Sequence, residues 1–111
     1  MPIRGMIFPA LCIGDERRIN QTVLFDDEGD ITCINPFINE TEGTVYVNGT
    51  ALILDKRAIR HKPEIVETLG SAVGGLYPSE AADKILKEEI YDKYKTCNIN
   101  DSVLLVIEGD E

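Results

Sequence analysis

Apolar side chains in this chain fall at two spacings. They run in short β-prone stretches through the first half and recur every third or fourth residue through most of the second. Arg4–Leu11 is an apolar stretch broken by Pro9, which suits an edge strand or a bent entry into one. Gly14–Glu16 is a turn signal. Ile19–Phe25 carries β-branched and aromatic weight at Ile19, Thr22, Val23, Leu24 and Phe25. The polar cluster Asp26, Asp27, Glu28, Gly29 and Asp30 separates it from Ile31–Ile34. That pattern predicts a hairpin with an acidic, glycine-containing loop. Asn35-Pro36 then breaks regularity, and 37–42 reads as a connection.

Asn48-Gly49 lies between Thr44–Val47 and Thr50–Leu54, both strongly β-prone. Asn-Gly suits a type I′ turn, in which both central residues need φ > 0, so the spacing predicts a second hairpin. Helical spacing begins at Pro63, which is tolerated in a first turn. Ile65, Val66, Leu69 and Val73 share a face, and Gly74-Gly75 ends the element. Ser79 caps a longer predicted helix reaching about Lys95, with Ala82, Ile85, Leu86, Ile90 and Tyr94 as its apolar stripe. Asp83 with Lys87 and Glu89 with Lys93 are candidate i,i+4 ion pairs on its wet face. Val103–Ile107 is a continuous apolar run and reads as a buried strand, followed by an acidic tail. Strands, then two helices, then a strand predict an α+β fold. Its expected form is a small, mainly antiparallel sheet of about five strands with two hairpins, packed by two C-terminal helices.

The chain has 111 residues, which reads as one domain, 1–111. It carries 11 basic and 20 acidic side chains, a net charge of -9. That balance argues against nucleic acid, whose phosphates are held largely by Lys and Arg. It favours solubility and a protein partner. No apolar run approaches the roughly 18 residues of a membrane span, so no membrane partner is expected. Met6–Ile13 is too short and too soon followed by charges to read as a signal peptide. The three cysteines, Cys12, Cys33 and Cys97, are odd in number, form no CxxC and have no adjacent histidine. Reduced thiols in a cytoplasm fit that pattern, with Cys12 and Cys33 as small core residues. Asn-x-Ser/Thr matches at Asn20, Asn39, Asn48 and Asn100 carry little meaning in that setting.

One basic concentration stands out: Lys56, Arg57, Arg60, His61 and Lys62. Arg57, Arg60, His61 and Lys62 are the candidate binding residues, able to meet a phosphate, a carboxylate or an acidic partner. Asp55, Glu64 and Glu67 would partly neutralise them. His61 is the sole histidine and Cys97 lies in a polar loop beside Lys95, so each is a candidate for chemistry. Neither sits in a catalytic pattern. In the acidic loop Gly29 is out of register for an EF-hand, and Gly70–Gly75 follows a helix rather than preceding one, as a phosphate loop would require. No metal or cofactor is expected.

Thr22–Ile34, with Gly43–Leu54, resembles the small β-domain that flanks the barrel of amidohydrolases, on the strand, acidic glycine turn and strand of Phe25–Ile31. Asn100–Val106 resembles the end of metal-dependent serine/threonine phosphatases, where Asp101 would match a metal ligand. Ser102 replaces that family's Asn and its other acidic motifs are missing, so neither resemblance carries a residue over. The expectation is a small acidic interaction or regulatory module without catalytic activity, and a homodimer. The alternatives are an anion-binding domain using 57–62 or a small enzyme using His61 or Cys97.

Overall fold

The computed structural model describes residues 4–39 and 43–108. Strands β1 (Gly5–Ile13), β2 (Glu16–Phe25) and β3 (Ile31–Pro36) form an antiparallel meander. Strands β4 (Thr44–Tyr46) and β5 (Gly49–Asp55) follow. A 3-10 turn over Lys56–His61 leads into α1 (Lys62–Val73), α2 (Pro78–Ile85) and α3 (Glu89–Tyr94). A short 3-10 turn, Ile99–Asp101, precedes β6 (Ser102–Glu108). The sheet runs β3-β2-β1-β5-β6, with β4 also on β1. The α+β class, the mainly antiparallel sheet and the packed helices are as the sequence predicts.

The second hairpin is not formed. Both β4 and β5 run parallel to β1, with Tyr46 opposite Ile7 and Thr50 opposite Ala10. The Val47 N–H donates to the Ile7 carbonyl and carries the ladder across the gap. Between these pairs two residues of β1, Phe8 and Pro9, lie opposite three, Val47, Asn48 and Gly49, and one extra residue is the signature of a bulge. Neither Asn48 nor Gly49 takes the positive φ that a type I′ turn needs. Gly49 is glycine for a different reason. A Cβ there would lie 2.7 Å from the Ile107 carbonyl oxygen, so only a bare backbone fits against β6.

Pro9 explains the irregularity. It lies in a central strand, not the predicted edge, and has no N–H to donate. Pairing is interrupted there on both sides. On one side the bulge passes it. On the other, the β1–β2 register skips from Phe8↔Gln21 to Ala10↔Ile19. The intervening Asn20 takes φ 51°, a left-handed conformation that Asn tolerates better than most residues. The buried Gln21 side chain donates to the Ile19 carbonyl at 3.0 Å, satisfying backbone that the break leaves open.

Both faces of the sheet are covered. Helices pack on one face over Ala10, Cys12, Leu52, Leu54, Leu105 and Ile107, with Ile65, Leu69, Ala82, Ile85 and Tyr91 from the helical layer. On the other face Phe8, Leu11, Val23, Ile31, Ala51 and Ile53 form a second core as the sheet curls toward itself. The strand β3 comes near β6 and the Ile99–Asp101 turn, yet the two end strands do not pair. This two-sided burial accounts for the continuous apolar run in β6, although β6 ends the hydrogen-bonded path.

The long second helix is broken in two. The Lys87 and Glu88 N–H groups reach back three residues, to Lys84 and Ile85, and tighten the chain before α3 turns away. Tyr91 and Tyr94 then enter the core, while Ile90 is only partly buried. Neither expected i,i+4 pair forms among the described residues: Asp83 instead meets Arg17 of β2 at 3.0 Å, while Lys95 meets Asp92, three residues earlier, at 2.6 Å. On α1, Ile65, Leu69 and Val73 are buried, but Val66 lies off that stripe and is exposed. Cys33 is half-buried rather than core, and the Asn35 side-chain amide points at its sulfur. Parts of the predicted 37–42 connection and of the acidic tail lie outside the described residues.

Candidate functional site

The basic segment is a compact turn, and acids meet most of it. Asp55 caps its first turn by accepting from the Arg57 N–H at 2.9 Å, and also meets the Arg57 side chain at 3.1 Å. The Arg57 N–H, followed by its guanidinium, holds the Asp55 carboxyl below its ordinary value. Lys56 lies 3.7 Å from Asp101. His61 Nδ1 lies 3.9 Å from Glu64, and its ring sits 5.7 Å from that of Tyr94. Arg60 and Lys62 have no ion-pair partner among the described residues. The four predicted binding residues lie on the Lys56–His61 turn and at the first position of α1, and Arg57 is already engaged by Asp55. Lys62, the first residue of α1, faces a different neighbourhood from the rest.

That neighbourhood is a cleft of about 300 Å³ between the acidic β2–β3 loop and the start of β6. Met6, Phe25, Ile31 and Leu104 supply apolar lining, and Asp30, Lys62 and Ser102 supply polar groups. The Asp26 carboxylate accepts from the Glu28 and Asp30 N–H groups at 2.9 Å, which organises the loop that carries Asp30. The sequence pointed to Lys62 and to the acidic loop separately. Their meeting depends on the curl of the sheet, for which local patterning carries no signal.

A second hollow, of about 390 Å³, opens beside the β1–β2 turn and is lined by Ile13, Asp15, Glu16, Arg18 and Cys97. Here Cys97 is exposed and packs against Gly14, whose φ of 54° favours glycine. The Tyr91 hydroxyl donates to the Gly14 carbonyl at 2.8 Å, and the Gly14 N–H donates to Thr96 at 3.2 Å. Lys95 bridges Asp15 and Asp92, which raises its ammonium above the ordinary range. These contacts clamp the turn onto α3. Nothing in them supplies a base for the Cys97 thiol, and His61 is engaged elsewhere, beside Glu64 and Tyr94. Among the described residues no three His, Cys, Asp or Glu side chains gather as metal ligands would.

Sequence reasoning did not find a third feature, the outer edge of β4. Its one strand partner among the described residues is β1, since β6 pairs β5 only as far as Gly49 opposite Glu108. Val45 and Tyr46 stand 37% and 60% exposed there. Taken as a hairpin arm, this stretch has its second edge covered by definition, so its exposure could not be read from the pattern.

No protein-family model, no curated protein and no solved structure matches this chain. Among the described residues no helix is long and apolar enough to cross a membrane.

Proposed function

We propose that this protein is a small, non-catalytic interaction module of a reducing, cytoplasmic compartment, and that it docks through the outer edge of β4 onto a second copy of itself. The observation that carries this reading is the pair Val45 and Tyr46, exposed on a strand with a single strand neighbour. With no second strand beside them among the described residues, Val45 and Tyr46 offer an edge to another strand, and native proteins usually blunt such edges with charge or proline. Here the stretch Thr44–Gly49 carries no charge at all, in a chain of net -9. Two copies of that edge can meet about a two-fold axis, each strand opposite its twin. Elsewhere the acidic surfaces repel one another, so approach through an uncharged edge avoids the largest electrostatic cost. All three cysteines are free thiols, which supports the reducing compartment.

Native mass spectrometry and light scattering, run across protein and salt concentration, test this reading. The dimer fraction should rise with salt as repulsion is screened. Val45→Lys places a charge on the edge and should leave a folded monomer. A wild-type chain that stays monomeric at high concentration and high salt defeats the self-docking reading. Equal dimerisation by Val45→Lys would place the interface elsewhere.

A further inference from the structure

We infer that the cleft between the β2–β3 loop and the start of β6 binds a small apolar α-amino acid as its zwitterion. Lys62 takes the carboxylate, Asp30 takes the ammonium, and Met6, Phe25, Ile31 and Leu104 receive the side chain.

Three observations converge on this assignment. First, the cleft opens onto the second core: Met6, Phe25 and Leu104 are packed against that core yet only partly buried. Apolar surface left wet in a concavity gains by covering it. At about 300 Å³ the space is at the lower end for small-ligand sites, which selects a compact molecule.

Second, two opposite charges line the same cleft without pairing. Neither Asp30 nor Lys62 forms an ion pair, with the other or with any further group, among the described residues. Opposite charges that lie within reach of one concavity but stay apart leave room for a molecule carrying both signs. A simple anion would meet Lys62 but face repulsion from Asp30, and a simple cation would meet the reverse. A zwitterion satisfies both, with charge-assisted hydrogen bonds at each end.

Third, β6 is an end strand of the hydrogen-bonded path, so the backbone groups on its outer edge have no strand partner among the described residues, and its first residues, Ser102, Val103 and Leu104, line the cleft. Ser102 donates its hydroxyl to the Ile99 carbonyl at 2.9 Å, which leaves that oxygen free to accept. An ammonium group can use such acceptors alongside Asp30.

The test is an amide NMR titration of the full chain with L-phenylalanine and L-leucine, with N-acetyl-L-phenylalanine, L-phenylalaninamide and glycine as comparisons. Saturable shifts at Ile31, Lys62, Val103 and Leu104 are expected with the two apolar amino acids. Losing either ligand charge should weaken binding by about tenfold, and glycine should not saturate. Lys62→Met and Asp30→Asn alter exposed positions, and thermal melts will establish that they fold. Each should weaken L-phenylalanine by about tenfold, and the double variant should abolish saturation. Equal binding of the N-acetyl compound would make the cleft an anion site and overturn the assignment. So would an absence of saturable shifts at these residues, or shifts unchanged in both variants.

Discussion

The Tyr91 hydroxyl reaches the Gly14 carbonyl, 77 positions earlier, at 2.8 Å in a buried setting. This bond joins the tip of the β1–β2 hairpin to α3, whose Tyr91 and Tyr94 are buried in the core. Burial raises the phenol above its ordinary range, so it remains a donor throughout the physiological pH range. Tyr91→Phe preserves the ring and strands the carbonyl. It should cost about 1–3 kcal/mol, the typical penalty for an unsatisfied buried acceptor. Urea unfolding should show a lower midpoint with an unchanged slope. An unaltered midpoint would mean that the hydroxyl is dispensable.

Asn48 and Gly49 should respond very differently to substitution. If the pair formed a type I′ turn, both would matter, because both need positive φ. In the bulge neither takes that conformation, and only Gly49 is pressed against β6. Asn48→Ala should therefore change stability by less than about 0.5 kcal/mol, as exposed substitutions usually do. Gly49→Ala should destabilise by about 1–3 kcal/mol, because the clash is with backbone rather than a movable side chain. Denaturation of the two variants side by side discriminates the arrangements. Comparable losses would favour a turn.

These residues also show what the sequence could and could not reveal. The first hairpin was legible because Asp26–Asp30 supplies local turn chemistry between two β-prone runs. Helix α1 was legible because Pro63, the Ile65–Leu69–Val73 spacing and Gly74 all agree. Asn48-Gly49 misled because one dipeptide serves two purposes, a turn conformation or a close backbone approach. Choosing between them requires knowing where Ile107 lies. Pro9 misled likewise, since a central strand accepts proline only if both neighbours break their pairing beside it. The split between α2 and α3 leaves Tyr91 bonded to Gly14, a contact between residues remote in sequence. Of the candidate site, the charges of Lys62 and Asp30 were visible as separate clusters. The cleft that unites them exists only after the sheet curls.

The three thiols should react in order of their surroundings. Cys97 is exposed, Cys33 is half-buried and Cys12 is buried, its S–H directed at the Ala82 carbonyl at 3.6 Å. Alkylation needs both access and thiolate. With iodoacetamide at pH 8, peptide mass spectrometry should find Cys97 labelled first and Cys33 later. Cys12 should be slower than Cys97 by a factor of about 10³ or more, reacting through opening of the fold. Rapid Cys12 labelling under native conditions would contradict its placement beneath α2.

Alkaline pH should destabilise the fold in two stages. Burial, with a smaller contribution from the Asp83 charge, pushes the Cys12 thiol from its ordinary 9.0 to about 12. Below pH 9 the thiol is protonated in both states, and its contribution is full and constant. Above pH 9 the unfolded chain releases a proton that the folded chain keeps. Unfolding is then favoured by about 1.4 kcal/mol for each further pH unit, until the folded thiol ionises near 12. The Tyr91 phenol, also raised by burial, joins from its ordinary 10.0, and its slope adds to the first. Lys95 acts in the same direction only above its ordinary 10.5, where its partnership with Asp15 and Asp92 retains a proton that the unfolded state loses. Urea midpoints measured from pH 7.5 to 10.5 should stay level, begin to fall near 9 and steepen near 10. Cys12→Ala should delay the first fall to about pH 10 while lowering the plateau, because a buried group is removed. An onset that stays at pH 9 in that variant would show that another group ionises there, and that Cys12 is not shielded as its place on β1 beneath α2 requires.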